Sequence, residues 1–347
     1  MGIKVLVVDD SATARAILTD ILESDSEIES VMTAPDAYVA RDKILKYKPD
    51  VICLDVEMPR MDGITFLRKL MKYMPIPVVM VSSITKKGAR TTLDALEAGA
   101  VDFVAKPHSN IYENSDEIRS ELLEKVKSAA MAQVNKDIKI DTNRKVFYKA
   151  STLETPQKLI VLGSSTGGVE ALRLFLAQFP SNSPAILLVQ HMPVDFTKQF
   201  AQRLNSTCKM DVKEAKDGDT LEIGQVLIAP GDKHMTLKRS GHRYYVHIGG
   251  REKVSGHCPS VDVMFNSVSK VAGANAVGVI LTGMGSDGAK GLLNMSKSGA
   301  MTFGQDKQSS TVYGMPKAAY ELGGVKKQNS LDKLPKDILD YYNQDNK

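Results

Sequence analysis

An alternation of apolar runs with amphipathic stretches, carried through twice along 347 residues, predicts two doubly wound parallel-sheet α/β domains joined by a linker. Two further observations support this. The apolar runs are near-continuous, as in strands covered on both faces, and acids or glycines cluster just after them, where open sheets place ligands. The length exceeds the roughly 250–300 residues at which single cores stop growing.

In the first half, runs at 3–8, 51–54, 78–81 and 103–105 read as strands, and 12–22 and 64–71 as amphipathic helices. A closing helix is expected to start at Asn114, with Glu117 completing a capping box, and to run through Glu121, Leu122 and Val126 to about Val134. The first domain is therefore set at 1–134. Residues 135–157 are polar and mildly basic with a proline near their end, which predicts a linker. A second alternation follows, with runs at 159–162, 186–189, 226–229, 277–281 and 301–303, and sets a second domain at 158–330. Residues 331–347 are left as a C-terminal tail.

With 43% hydrophobic residues, 25% charged and no Trp, the composition is that of an ordinary globular protein. The net charge of +4 is small and its basic residues interleave with acids, which argues against nucleic acid as the main partner. Cys53, Cys208 and Cys258 form no C-x-x-C pair, so neither a disulfide framework nor a zinc site is expected. No run approaches the roughly 20 apolar residues of a membrane span. A cytoplasmic protein, not inserted in a membrane, is the expectation.

Asp9 and Asp10 fall at the end of the first strand, Asp55, Ser82 and Lys106 at the ends of later ones. The carboxyl ends of parallel strands share one crevice, so these residues should converge. Mg²⁺ takes a few oxygen ligands together with water and phosphate oxygens, which suits Asp9, Asp10 and Asp55. Asp55 can attack phosphorus to give an acyl phosphate, with the Lys106 ammonium and Ser82 hydroxyl on the phosphoryl oxygens. Taken alone, Asp9 and Asp10 read equally well as turn residues.

Val-Val-Asp-Asp-Ser, Leu-Asp-Val-Glu-Met-Pro-Arg-Met-Asp-Gly, Met-Val-Ser-Ser and Phe-Val-Ala-Lys-Pro, in that order, resemble the receiver domain of two-component response regulators. The resemblance implies a flavodoxin-like fold in which Asp55 is the phosphoacceptor and Asp9 and Asp10 help hold Mg²⁺. It also implies that Ser82 and Lys106 read the phosphorylated state and that Phe103 occupies an aromatic switch position. Ala34-Pro35-Asp36-Ala37 departs from the turn common in receivers, away from the phosphorylation site.

In the second half, Gly163-Ser164-Ser165-Thr166-Gly167-Gly168 follows a strand and precedes a helical pattern. Such a turn exposes a central hydroxyl, here Ser165, at a helix N-terminus. The motif alone fits an esterase, a phosphate loop and a plain turn equally. His191 ends the next strand, where a general base is needed, and Asp287 follows a later strand, where it can orient the imidazole. The order Ser, His, Asp differs from that of α/β-hydrolases.

Gly-Ser-Ser-Thr-Gly-Gly, Gln-His-Met-Pro, Ala-Pro-Gly at 229–231, Pro-Ser-Val-Asp at 259–262 and Leu-Thr-Gly-Met-Gly-Ser-Asp-Gly-Ala look like the catalytic domain of chemotaxis protein-glutamate methylesterases, over about 160–325. The resemblance implies a Rossmann-like esterase domain in which Ser165 is the nucleophile, His191 the base and acid, Asp287 the orienting carboxylate and the Met284 backbone part of the oxyanion hole. Ser164 stands where that family commonly has Ala. The expected substrates are methyl-glutamates of methyl-accepting chemotaxis receptors, with glutamine deamidation as a second activity. A chemotaxis histidine kinase is the expected phosphodonor, Mg²⁺ the receiver's cofactor, and no cofactor is expected for the esterase step. The tandem layout predicts esterase control by the phosphorylation state of Asp55.

Rival classes are a non-catalytic regulator that acts by partner binding, a DNA-binding output domain, and a hydrolase of small esters. His234, His242, His247 and His257 have no metal-ligand spacing and are expected as surface or loop residues. Ser260 and Asp262 are expected to cap a helix beginning near Val263. Met192 and Met284 are candidates for lining a shallow apolar groove.

Overall fold

The structure is a computed structural model that describes residues 2–82, 86–106, 115–134 and 158–344. The chain divides into two compact units, Met1–Asp137 and Ile138–Lys347. The expected linker, Pro107 and Asn114 lie outside the described residues, and of Glu117, in the first turn of the closing helix, only the backbone is described, so the capping box falls outside them.

In the first unit β1 (Ile3–Val8), α1 (Ala12–Glu23), β2 (Ile28–Ala34), α2 (Ala37–Tyr47) and β3 (Val51–Asp55) are followed by α3 (Gly63–Tyr73), β4 (Val78–Ser82), α4 (Lys86–Glu97), β5 (Asp102–Ala105) and α5 (Ser115–Ala130). The five strands are parallel in the order β2-β1-β3-β4-β5. β3 and β4 are buried along their whole length, as their unbroken apolar runs require. Helix starts follow capping chemistry: Ser11, Asp36 and Asp62 accept N–H bonds from the first turns of α1, α2 and α3. Val5, Val7, Leu18, Leu22, Val79, Leu122 and Val126 form one core between the sheet and α1 and α5. Each large apolar side chain buried there contributes about 1.5–3 kcal/mol.

The second unit begins with β6 (Leu159–Ser164), α6 (Gly168–Leu176), β7 (Ala185–Gln190), α7 (Val194–Thr207), β8 (Asp211–Glu214) and β9 (Gln225–Ile228). An antiparallel hairpin, β10 (His234–Ser240) and β11 (Arg243–Gly249), interrupts the alternation. Then come α8 (Val261–Val271), β12 (Ala276–Ile280), α9 (Ala289–Lys297), β13 (Met301–Gln305), α10 (Met315–Glu321), β14 (Lys327–Asn329) and α11 (Leu334–Gln344). The seven-stranded parallel sheet runs β14-β13-β12-β6-β7-β9-β8. From the central β6 the chain winds first through β7 toward β8 and later returns on the other side through β12. The carboxyl ends of β6, β7 and β12 therefore frame the crevice at the topological switch point.

Two expectations need correction. The hairpin β10–β11 was not anticipated by a plain α/β alternation. The segment set aside from 331 as a tail is an integral helix: Leu334, Ile338 and Leu339 are fully buried, and Tyr342 donates its hydroxyl to Leu159 O on β6 at 2.7 Å. No helix among the described residues is long and apolar enough to cross a membrane.

Candidate active site and phosphoacceptor site

In the second unit three adjacent strands deliver the predicted triad. Ser165 follows β6, His191 follows β7, and Asp287 lies in the loop after β12. The register puts Ser164 opposite Gln190 and Gly163 opposite Ile280, so the strand ends stand side by side. His191 N donates to Ser164 O at 3.2 Å, and Ser165 N donates to Thr282 O at 3.0 Å, fastening the Ser165 turn to both neighbours.

The turn depends on small residues. Gly167 has φ 75, and a Cβ there would also meet Thr311 at 2.5 Å. A Cβ on Gly168 would lie 2.2 Å from Gln190 Oε1, so the start of α6 packs against the Gln190 amide only because that position is bare. Gln190 is buried and ties the two strand ends together: its Nε2 donates to Ser165 O at 3.0 Å and His191 O at 3.2 Å, while its Oε1 accepts from Ser164 Oγ at 2.6 Å. Ser164 is fully buried and engaged in that bond, whereas Ser165 is half-buried. The second hydroxyl of the motif is thus a support for the first.

His191 Nε2 and Asp287 Oδ2 are 2.9 Å apart, and His191 Nδ1 is buried with no hydrogen-bond partner. Asp287 is 1% exposed and sits at the N-terminus of α8. Its Oδ2 accepts from Val261 N at 2.7 Å, and its Oδ1 from Ser260 Oγ at 2.8 Å and Asp262 N at 3.0 Å. Burial acts to raise its pKa, but the His191 hydrogen bond and charge, with the two backbone N–H groups, outweigh it and leave the carboxyl below its ordinary value. A helix N-terminus is a natural seat for such a charge. With Asp287 ionised, the neutral His191 tautomer that fits this contact is the one with its proton on Nε2 and Nδ1 as the acceptor.

Several residues around the triad escaped the sequence reading in part or whole. Ser260 caps α8 as expected, accepting from Val263 N at 3.4 Å, but its hydroxyl also holds Asp287. Asp262 lies inside the first turn of α8 and caps α9 instead, accepting from Gly291 N at 2.7 Å. His234 is buried, not superficial: its Nδ1 accepts from Ser260 N at 3.1 Å and its Nε2 donates to Glu252 O at 2.7 Å. His257 stacks on His191, with ring centroids 3.7 Å apart. His242 and His247 are exposed. Met192 is buried in the core, and Met284 is half-buried in the loop after β12, where a Cβ on its neighbour Gly283 would come within 2.9 Å of Ser165 Cβ.

In the first unit the expected crevice also forms. Asp9 and Asp10 follow β1 and Asp55 ends β3, which are adjacent strands, and one carboxylate oxygen from each lies within 4.8 Å of the others. Asp9 and Asp55 are buried and Asp10 is exposed. Lys106 Nζ lies 2.8 Å from Asp55 Oδ2 and 2.8 Å from Asp9 Oδ2, hydrogen-bonded to the first and ion-paired with the second. Burial first, and then the charge of Asp9, raise the pKa of Asp55 against the pull of Lys106. Burial acts to lower the Lys106 pKa, but its two carboxylate partners prevail and raise it. Ser82 Oγ is buried at the end of β4 without a hydrogen-bond partner, and Lys106 N donates to Ser82 O at 2.7 Å. Phe103 is buried in β5 with Lys125 Nζ 4.8 Å from its ring centroid.

Comparison with known proteins identifies both units. Residues 160–338 match the family model "CheB methylesterase" and residues 5–113 match "Response regulator receiver domain". The chain is 59% identical over 333 residues to a protein-glutamate methylesterase/protein-glutamine glutaminase of Sulfurimonas denitrificans, covering 94% of each chain. It is 51% identical over 339 residues to the protein of that name from Salmonella typhimurium, covering 97% of this chain and 96% of the other. The crystal structure of the Thermotoga maritima CheB methylesterase catalytic domain is 38% identical with a TM-score of 0.52, covering 53% of this chain and 98% of that one. Matched by both family models and more than half identical to these relatives along nearly its full length, the chain belongs to the protein-glutamate methylesterase/protein-glutamine glutaminase family.

Proposed function

We propose that this protein is a phosphorylation-activated serine esterase that demethylates methyl-glutamate residues of chemoreceptors and deamidates receptor glutamines in chemotaxis adaptation. The observation that carries the reading is the His191–Asp287 pair beside the Ser165 turn: a buried imidazole with Nε2 on a carboxylate and Nδ1 free to take a proton.

Ser165 Oγ attacks the ester carbonyl as His191 Nδ1 takes its proton, and Asp287 stabilises the imidazolium that forms. The tetrahedral oxyanion falls to backbone N–H groups at the start of α6 and around Met284, and each well-placed donor is worth about 3–4 kcal/mol. Collapse breaks the bond to the methoxyl oxygen, and His191 returns the proton to the departing methanol. Water then attacks the acyl-enzyme by the same relay and leaves a glutamate carboxylate. An amide substrate follows the same course with ammonia as leaving group.

In the receiver unit Asp55 is the phosphoacceptor. Asp9, Asp10 and Asp55 present an all-carboxylate donor set of the kind Mg²⁺ takes, within 4.8 Å of one another, so the residues present fit the ion. Bound there, Mg²⁺ supplies positive charge against carboxylate and phosphoryl oxygens. Lys106 offsets charge on Asp55, and the unpartnered Ser82 hydroxyl is available to a phosphoryl oxygen. A chemotaxis histidine kinase is the phosphodonor and methyl-accepting receptors are the substrate in this reading, which places the protein in the cytoplasm.

The test is methanol release from methylated chemoreceptor membranes, with and without a small phosphodonor and Mg²⁺. Release should vanish in Ser165→Ala and rise with phosphodonor in the wild type. A folded wild type that releases no methanol under any condition rules the esterase out.

A further inference from the structure

We propose that His257 is a positioning residue for the esterase step, setting the plane of the His191 imidazole. The inference rests on the reading of Ser165, His191 and Asp287 as the reacting site. The two imidazoles lie face to face, with centroids 3.7 Å apart and planes 15° from parallel. Among the described residues the side-chain hydrogen bonding of His191 is a single contact, Nε2 to Asp287, and one such bond leaves rotation of the ring about it unset. Nδ1 is unpaired and cannot supply the second restraint. A general base works only with its lone pair aimed at the hydroxyl it deprotonates. A flat ring held against one face of His191 sets that aim.

The segment that carries His257 is built to hold it in place. Val254 and His257 exchange both backbone hydrogen bonds, each 3.0 Å, across Ser255 and Gly256. Both central residues have positive φ, 54 and 84, the signature of a tight two-residue hairpin turn. A left-handed serine is costly, and its hydroxyl is put to use: Ser255 Oγ donates to Asp262 Oδ2 at 3.2 Å, tying the turn to the first turn of α8. That same helix end seats Asp287 through Val261 N and Asp262 N. One element thus fixes both groups that touch His191, the carboxylate at its edge and the second imidazole on its face.

The full-length protein tests this with three variants. His257→Phe keeps a flat ring without N–H groups, His257→Leu keeps bulk without a flat ring, and His257→Ala removes both. Two rates are measured: labelling of Ser165 by a fluorophosphonate, and methanol release from methylated receptor membranes resolved into kcat and KM. His257→Ala and His257→Leu should each lose about tenfold or more in labelling rate and in kcat, with KM within about twofold of wild type. His257→Phe should stay within about threefold of wild type, which a role through N–H chemistry does not allow. Should Ala fail to fold, the contrast between Leu and Phe decides alone. Wild-type rates in Ala and Leu, a loss in Phe as deep as in Leu, or a change confined to KM would each overturn the proposal. A folded wild type that the probe does not label at Ser165 overturns the site reading itself, a result visible before any His257 variant is compared.

Discussion

Ser164 and Ser165 are neighbours with the same side chain in different surroundings, the first fully buried and the second half-buried. Ser164 Oγ is spent on Gln190 Oε1 at 2.6 Å inside the protein. Replacing it with Ala leaves that carbonyl oxygen buried without its donor, at a cost of about 1–3 kcal/mol. Ser164→Ala should therefore lower the urea midpoint while retaining methanol release within about tenfold. A loss as complete as in Ser165→Ala would assign the chemistry to the wrong serine. Asp287 yields a pH prediction. Its folded pKa lies below 3.8, so its ionisation contributes stability that is fully present above the unfolded value and lost as pH falls through the folded one. The gap in urea midpoint between wild type and Asp287→Asn should stand at pH 6 and close as pH drops through 3.8 and below. A gap that does not shrink at all as pH falls below 3.8 would mean that the carboxylate charge is not what the α8 N-terminus holds.

At the scale of elements, α11 carries a helical signal that is faint in the sequence. Leu334, Ile338, Leu339 and Tyr342 recur at helical spacing on one face, yet the segment follows a weak three-residue strand and ends in polar residues, so the stripe was not recognised. The hairpin β10–β11 was legible in the same way, from Gly241 and His242 between two alternating runs. The main strands were readable because burial on both faces demands unbroken apolar runs. The convergence of the Ser165, His191 and Asp287 segments was readable because parallel strands deliver their ends to one crevice. Residues that hold the triad were not, since Ser260, Gln190 and His257 act through neighbours that only the folded chain supplies. The four stripe residues of α11 are each worth about 1.5–3 kcal/mol on burial, a sum comparable to the whole stability of a domain, about 5–15 kcal/mol. A chain ending at Ser330 should lack a cooperative transition for its second unit. Tyr342→Phe, which removes the bond to Leu159 O, should cost about 1 kcal/mol in a urea melt. A truncated chain that still melts cooperatively in both units would make α11 an appendage.

For the whole molecule, the receiver has to store a signal that the esterase can read, and the resting state of Asp55 shows where the free energy lies. Burial and Asp9 hold the pKa of Asp55 above its ordinary value, so its ionisation costs stability, a cost absent at low pH and fully present once pH exceeds the folded value. Two buried carboxylates and one ammonium leave uncompensated negative charge at neutral pH, which a divalent cation or a neutral side chain relieves. In a chelating buffer at pH 7, Asp55→Asn should melt above wild type. Added Mg²⁺ should raise the wild-type midpoint and move the variant less. Phosphorylation changes the same balance in the other direction, replacing the single charge of the Asp55 carboxylate with about two on the acyl phosphate, a net gain of about one negative charge, and a shift of about 2–3 kcal/mol between inactive and active forms multiplies the active fraction roughly thirty- to two-hundredfold. A small phosphodonor with Mg²⁺ should therefore stimulate methanol release by the wild type and leave Asp55→Asn at its basal rate. Equal stimulation of both proteins would show that the phosphodonor acts elsewhere than Asp55. Stimulation of neither, with Asp55 demonstrably phosphorylated, would uncouple the receiver from the esterase while leaving each site's own chemistry intact.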